Sequence, residues 1–165
     1  MNGYIFQDWD VNSKNFKARI IVVSFRLAQL ATYNKIFSIL LIPYIIFYRI
    51  VIELILGTEI PYRTKIGKNL RVYHGYSLVI NPDTIIGENC ALRHCTTIGN
   101  KQLKDGTFSK SPIIGNNADI GSNVCIIGPI TIGNNVKIGS GSVVVKDVPS
   151  DCVVVGNPAR IILNK

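Results

Sequence analysis

Apolar residues recur every six positions through about half of this 165-residue chain, and no other feature limits its fold so sharply. The series is Ile66, Val72 and Leu78, then Ile86, Leu92 and Ile98, then Ile114, Ile120, Ile126, Ile132, Ile138 and Val144 without a break. An α-helix repeats every ~3.6 residues and a half-buried strand every ~2, so neither produces this spacing. A coil whose flat sides are each one short strand and one corner does, and three such sides close a triangular prism. The anchors then point inward as stacked aliphatic layers. Glycine follows the anchor at Gly67, Gly87, Gly99, Gly115, Gly121, Gly133 and Gly139, where it relieves the backbone beside a corner. Four positions after the anchor stands a small or β-branched residue: Cys90, Thr96, Ala118, Val124, Ile130, Val136 or Ser142. The spacing predicts a mainly β solenoid over residues 58–165.

Residues 1–57 lack that rhythm. Phe16 to Ala31 and Lys35 to Leu56 read as an N-terminal helical hairpin, with Pro43 a kink or break. The run from Ile36 to Leu56 is long and apolar, yet Pro43, Arg49 and Glu53 lie within it, and charge in a bilayer core is costly. A buried or interfacial hairpin is therefore expected, with peripheral contact at a membrane surface left open.

The formal charge of +8 is spread along the chain, and only Lys101, Lys104 and Lys110 cluster, so no nucleic-acid partner is expected. Such an excess suits an anionic small molecule or an anionic membrane surface equally. Cys90, Cys95, Cys125 and Cys152 show no CxxC spacing and follow no secretory signal, so neither a disulfide framework nor a metal site is expected, and the cytoplasm is the expected compartment. The segment Asn100 to Pro112 leaves the six-residue register and is expected to project as a loop.

From about Glu59 to Ile162 the sequence resembles the hexapeptide-repeat acyltransferases, whose consensus is an aliphatic residue, a Gly-like residue, two free positions and a small residue. Arg71-Val72-Tyr73-His74-Gly75 is similar to the serine O-acetyltransferases. The stretch Leu92-Arg93-His94-Cys95-Thr96-Thr97-Ile98-Gly99-Asn100 is closer to the small acetyltransferases of bacterial surface-polysaccharide pathways. The resemblance implies a left-handed parallel β-helix, a hand that the period does not supply, together with a homotrimer and acetyl-CoA as co-substrate. It makes His74 the general base and Glu59, fifteen residues earlier, the acid that orients it. An alcohol is a poor nucleophile at neutral pH, and a positioned imidazole can take its proton as it attacks the thioester. His94 is expected one coil further on, as a contact to the acceptor or to pantetheine, with a two-residue interruption of the repeat between Leu78 and Ile86. Ile138 to Pro149 and Val155 to Arg160 are similar to the CoA-binding end of these enzymes, which implies backbone contacts at Ser140 and phosphate contacts at Lys146 and Arg160.

The serine enzymes carry Asp immediately before the base and a second His before the later proline; this chain has Tyr73 and Ser111 there. A buried ammonium needs a carboxylate partner, so Tyr73 points to a sugar or surface-polysaccharide precursor as acceptor. Serine O-acetyltransfer and a non-catalytic β-helix scaffold remain the alternatives.

Overall fold

Residues 2–164 are described in the computed structural model. The N-terminal segment forms α1 (Asn2–Ile5), a 3-10 turn (Asp10–Asn12), α2 (Phe16–Gln29), a second 3-10 turn (Leu30–Thr32), α3 (Lys35–Leu40), α4 (Ile42–Tyr48) and a π-helical continuation (Arg49–Ile55). Two asparagines start helices by side-chain capping. Asn15 accepts from the Ala18 N–H at 3.0 Å and Asn34 from the Phe37 N–H at 2.9 Å. The second expected helix is not continuous: it breaks at Leu41, because Pro43 occupies the first turn of α4, where its missing N–H costs nothing.

Short strands then wind in coils: β1 (Thr58–Glu59), β2 (Lys65–Ile66), β3 (Arg71–Tyr73); β4 (Leu78–Ile80), β5 (Ile85–Ile86), β6 (Ala91–Arg93); β7 (Thr97–Gly99), β8 (Ile113–Ile114), β9 (Asp119–Ile120); β10 (Cys125–Ile127), β11 (Thr131–Ile132), β12 (Lys137–Ile138). The last coil holds β13 (Val143–Val144) and β14 (Cys152–Gly156), and β15 (Ala159–Asn164) returns antiparallel beside β14. Corresponding strands stack in parallel as three sheets, β1-β4-β7-β10-β13, β2-β5-β8-β11 and β3-β6-β9-β12-β14. The mainly β solenoid behind an N-terminal helical region is as expected.

One buried aliphatic from each sheet fills every layer; on the first sheet the column is Ile60, Ile80, Ile98, Ile126 and Val144. Here the structure corrects the reading of the repeat. Ile80, not Leu78, stands in register with Ile98, while Leu78 lies opposite Thr58. From β3 to β6 the step is twenty residues (Arg71 to Ala91), but from β4 to β7 it is eighteen (Val79 to Thr97). The two extra residues therefore lie before Leu78, in the corner that carries His74, and not between Leu78 and Ile86. The loop 100–112 adds ten residues between β7 and β8 and closes as a small antiparallel hairpin through Gln102 and Phe108.

A solenoid's first coil leaves an open edge on each sheet, and here side chains of the N-terminal segment hydrogen-bond to all three. Tyr48 donates to the Ile60 carbonyl at 2.7 Å. Arg26 donates to the carbonyls of Ile66 and Gly67, and Gln29 to that of Thr64. Asn12 donates to the Leu70 carbonyl and accepts from the Val72 N–H, while Asp8 accepts from the Leu70 N–H. Ala18, Ile21, Val22 and Phe25 of α2 join the same core as the first coil.

Candidate active site

The corner after β3 is built around two consecutive left-handed residues, His74 at φ 66° and Gly75 at φ 70°. Such a φ is uncommon outside glycine and has to be held by surrounding contacts. The Gly75 N–H donates to Tyr73 at 2.9 Å, and the Gly75 carbonyl accepts from Thr58 Oγ1 at 2.6 Å. From the core side Ile21 of α2 presses so close that a Cβ on Gly75 would lie 2.7 Å from its Cδ1. Helix and first coil together fix the backbone that carries His74.

The equivalent corner one coil later carries His94. The two imidazoles meet edge to face, with ring centroids 5.4 Å apart and planes at 82°. His94 Nδ1 is buried and has no protein hydrogen-bond partner. Further along the same prism edge come Ser122, whose carbonyl accepts from the Gly141 N–H, and Ser140, 3.3 Å from it between hydroxyl oxygens. At ~4.8 Å per coil the edge runs about 14 Å from His74 to Ser140.

Tyr73 faces out from the third sheet, half buried, with the Arg93 guanidinium 4.8 Å over its ring and its hydroxyl accepting from Arg71 at 3.4 Å. Arg93 is paired with Asp119 and also donates to the Ile120 carbonyl at 2.9 Å. Glu59, on β1, is exposed, and among the described residues no hydrogen bond joins it to His74. Its charge instead faces Glu53, whose carboxyl is raised above the usual range by burial, against the lowering effect of Arg49 and with a further raising contribution from Glu59. Lys146 and Arg160 are brought together: both line one open cleft of about 500 Å³ between the last coil and the β14–β15 ribbon, with Val145, Pro158 and Ile161. Among the described residues no His, Cys, Asp and Glu group could hold a metal ion.

Residues 57–157 match the family model described as the GMPPB C-terminal domain, a match that spans β1 to β14. Over 161 residues the chain is 35% identical to the colanic acid biosynthesis acetyltransferase WcaB of Escherichia coli (strain K12), covering 95% of this chain and 98% of that protein. The chain belongs to the hexapeptide-repeat acetyltransferases. As in that family, the prism is a left-handed β-helix. A serine acetyltransferase of Synechococcus elongatus is 39% identical over 110 residues, 67% of this chain but only 44% of that one. Among solved structures the soybean serine acetyltransferase apoenzyme superposes with a TM-score of 0.82 at 25% identity, covering 97% of this chain and 68% of that chain.

Several parts of this candidate site and its surroundings were not read from the sequence. The widened corner had a signal, because counting back six from Ile86 gives Ile80 and locates the two extra residues beside His74. The guanidinium pair around Tyr73 was equally accessible, since Arg71 and Arg93 are aligned once the coil step is known. The Asp8, Asn12 and Arg26 cap carried no pattern of its own.

Proposed function

We propose that this acetyltransferase moves the acetyl group of acetyl-CoA directly to a hydroxyl of a sugar or surface-polysaccharide precursor, with His74 as general base. The observation that carries the reading is the prism edge itself. His74 heads it, His94 packs against the base and Ser140 lies further along, while Lys146 and Arg160 share a cleft on the last coil. An anionic, elongated co-substrate suits that layout. Two cations in one cleft match phosphates, and backbone groups at Ser140 can hold the arm.

His74 takes the proton of the acceptor hydroxyl while its oxygen bonds to the thioester carbon, and returns that proton to the thiolate that leaves. No acyl-enzyme is needed, because the thioester is already activated. Glu59 is proposed to stabilise the imidazolium by charge, and His94 to touch the acceptor or the arm. The trimer and a cytoplasmic location, with residues 58–165 as the acyltransferase domain and 1–57 as its helical region, complete the proposal.

The acceptor preference is argued from Tyr73. Where the serine enzymes resembled here offer a carboxylate, this chain offers a phenol flanked by Arg71 and by Arg93, whose partner Asp119 is already engaged, so no free carboxylate meets an ammonium group. The likeness to serine acetyltransferases keeps serine as the second reading. Thiol release with acetyl-CoA saturating tests both: a pyranose-bearing acceptor is expected to turn over well and L-serine to stay near the hydrolysis background. An L-serine efficiency near ~10⁴ M⁻¹s⁻¹ would restore the serine reading.

A further inference from the structure

From Lys35 to Ile55 the helices turn the wrong side outward for a water-soluble surface. Tyr48 and Ile52 are buried against the core, whereas Ile36, Leu40, Pro43, Phe47, Ile50 and Leu54 are exposed. Their spacing of four, three, four, three and four residues is helical in period within each element. Ile36 is 76% exposed, Leu40 70% and Leu54 77%, values ordinarily seen for charged side chains. With Ile39, Ile42, Ile46 and Ile55 exposed as well, so much outward apolar side chain on adjoining helices marks an interaction site.

Charge selects the partner. Between Ser13 and Gly57 stand six cations against one carboxylate, Glu53; with Arg26 buried on Asp8 and the Lys17 ammonium buried, Lys14, Arg19, Lys35 and Arg49 remain for a partner. The Glu53 carboxylate is mostly buried and paired with Arg49 at 3.4 Å, while the Arg49 side chain itself is 71% exposed. An apolar face flanked by Lys35 and Arg49 suits an anionic lipid surface, with the aliphatic groups below the headgroups and the cations among them. A second copy docked on this face would set the same cations against one another. No helix among the described residues is long and apolar enough to cross a membrane, and even α4 with its π-helical continuation, Ile42 to Ile55, rises at most about 21 Å.

We propose that the outer face of α3, α4 and the π-helical segment docks in the plane of an anionic bilayer, independently of the acetyl-transfer chemistry. The test is vesicle flotation of the full chain with phosphatidylcholine alone and with added phosphatidylglycerol, alongside the double variant Leu40→Glu/Leu54→Glu. Both side chains are outside the core, so melting temperature and thiol release with a soluble acceptor should be unchanged in the variant. The wild type is expected to float with phosphatidylglycerol vesicles, less at high salt, and the variant to bind about tenfold less or weaker. Failure of the wild type to float, or full binding by the folded variant, overturns the proposal. So does a vesicle-free sedimentation run in which the wild type forms a larger assembly that the variant lacks, because a second copy then covers the face.

Discussion

At the scale of single residues, His74 combines a left-handed backbone with the contact to His94, and Gly75 beside it has little room for a side chain. If the imidazole is the general base, His74→Ala should lower turnover by about two to four orders of magnitude and leave acetyl-CoA affinity nearly unchanged. Steady-state kinetics paired with calorimetric titration of the co-substrate checks this, and near-normal turnover in the folded variant would remove His74 from the mechanism. Glu53 gives a separate, pH-dependent expectation. Burial raises its carboxyl in the folded chain, so the fold favours the protonated form. The associated stability is fully present below the unfolded-state value of ~4.3 and is lost as pH rises through the higher folded value. Glu53→Gln should therefore melt at or above wild type at neutral pH, with the difference closing as the solution is acidified. The lost Arg49 partner is largely exposed, so the pair should contribute little. Melting curves from pH 4 to 8 with a constant gap would contradict the assignment.

At the scale of elements, the coil depends on glycines that let one turn lie on the next. A Cβ on Gly87 would meet the Gly115 carbonyl carbon and oxygen at 2.7 Å, atoms of a backbone that the stacking fixes. On Gly99 the nearest contact would be 3.8 Å, to Asn81 Cβ. Gly87→Ala should thus cost about 1–3 kcal/mol or more, while Gly99→Ala should fall within about 0.5 kcal/mol of wild type in urea titrations. Equal effects would show that the repeat tolerates Cβ atoms at either place. The open end of the prism makes a comparable demand. Arg26 and Asp8 are paired at 2.7 Å with no side-chain exposure, and Arg26 also closes the edge at Ile66 and Gly67. Arg26→Met strands the carboxylate and both carbonyls, for an expected loss of about 3–5 kcal/mol, measurable as a lowered denaturation midpoint.

For the whole molecule, the second sheet sets its outward residues Ile85 and Ile113 side by side in register, 39% and 46% exposed. Apolar pairs on a flat prism face favour association, and closed point-group symmetry is the common solution. Sedimentation equilibrium at micromolar concentration should give three times the chain mass, and Ile85→Lys/Ile113→Lys should shift it to the monomer. A stable wild-type monomer would contradict the trimer.

The six-residue period determined the solenoid, its inward anchors and the projecting loop, because each apolar anchor is a local choice that stacking repeats. The family resemblance also marked His74, Lys146 and Arg160, although only the fold shows that the last two share a cleft. Tertiary structure decided where the repeat is interrupted. Leu78 and Ile80 are both buried, and only pairing with Ile98 distinguishes the layer residue from its neighbour. It also decided how the first coil ends, since the partners of Asp8, Asn12 and Arg26 are backbone groups some forty to sixty residues away. A backbone carbonyl is identical at every residue, so no sequence pattern can announce which one a distant side chain will satisfy.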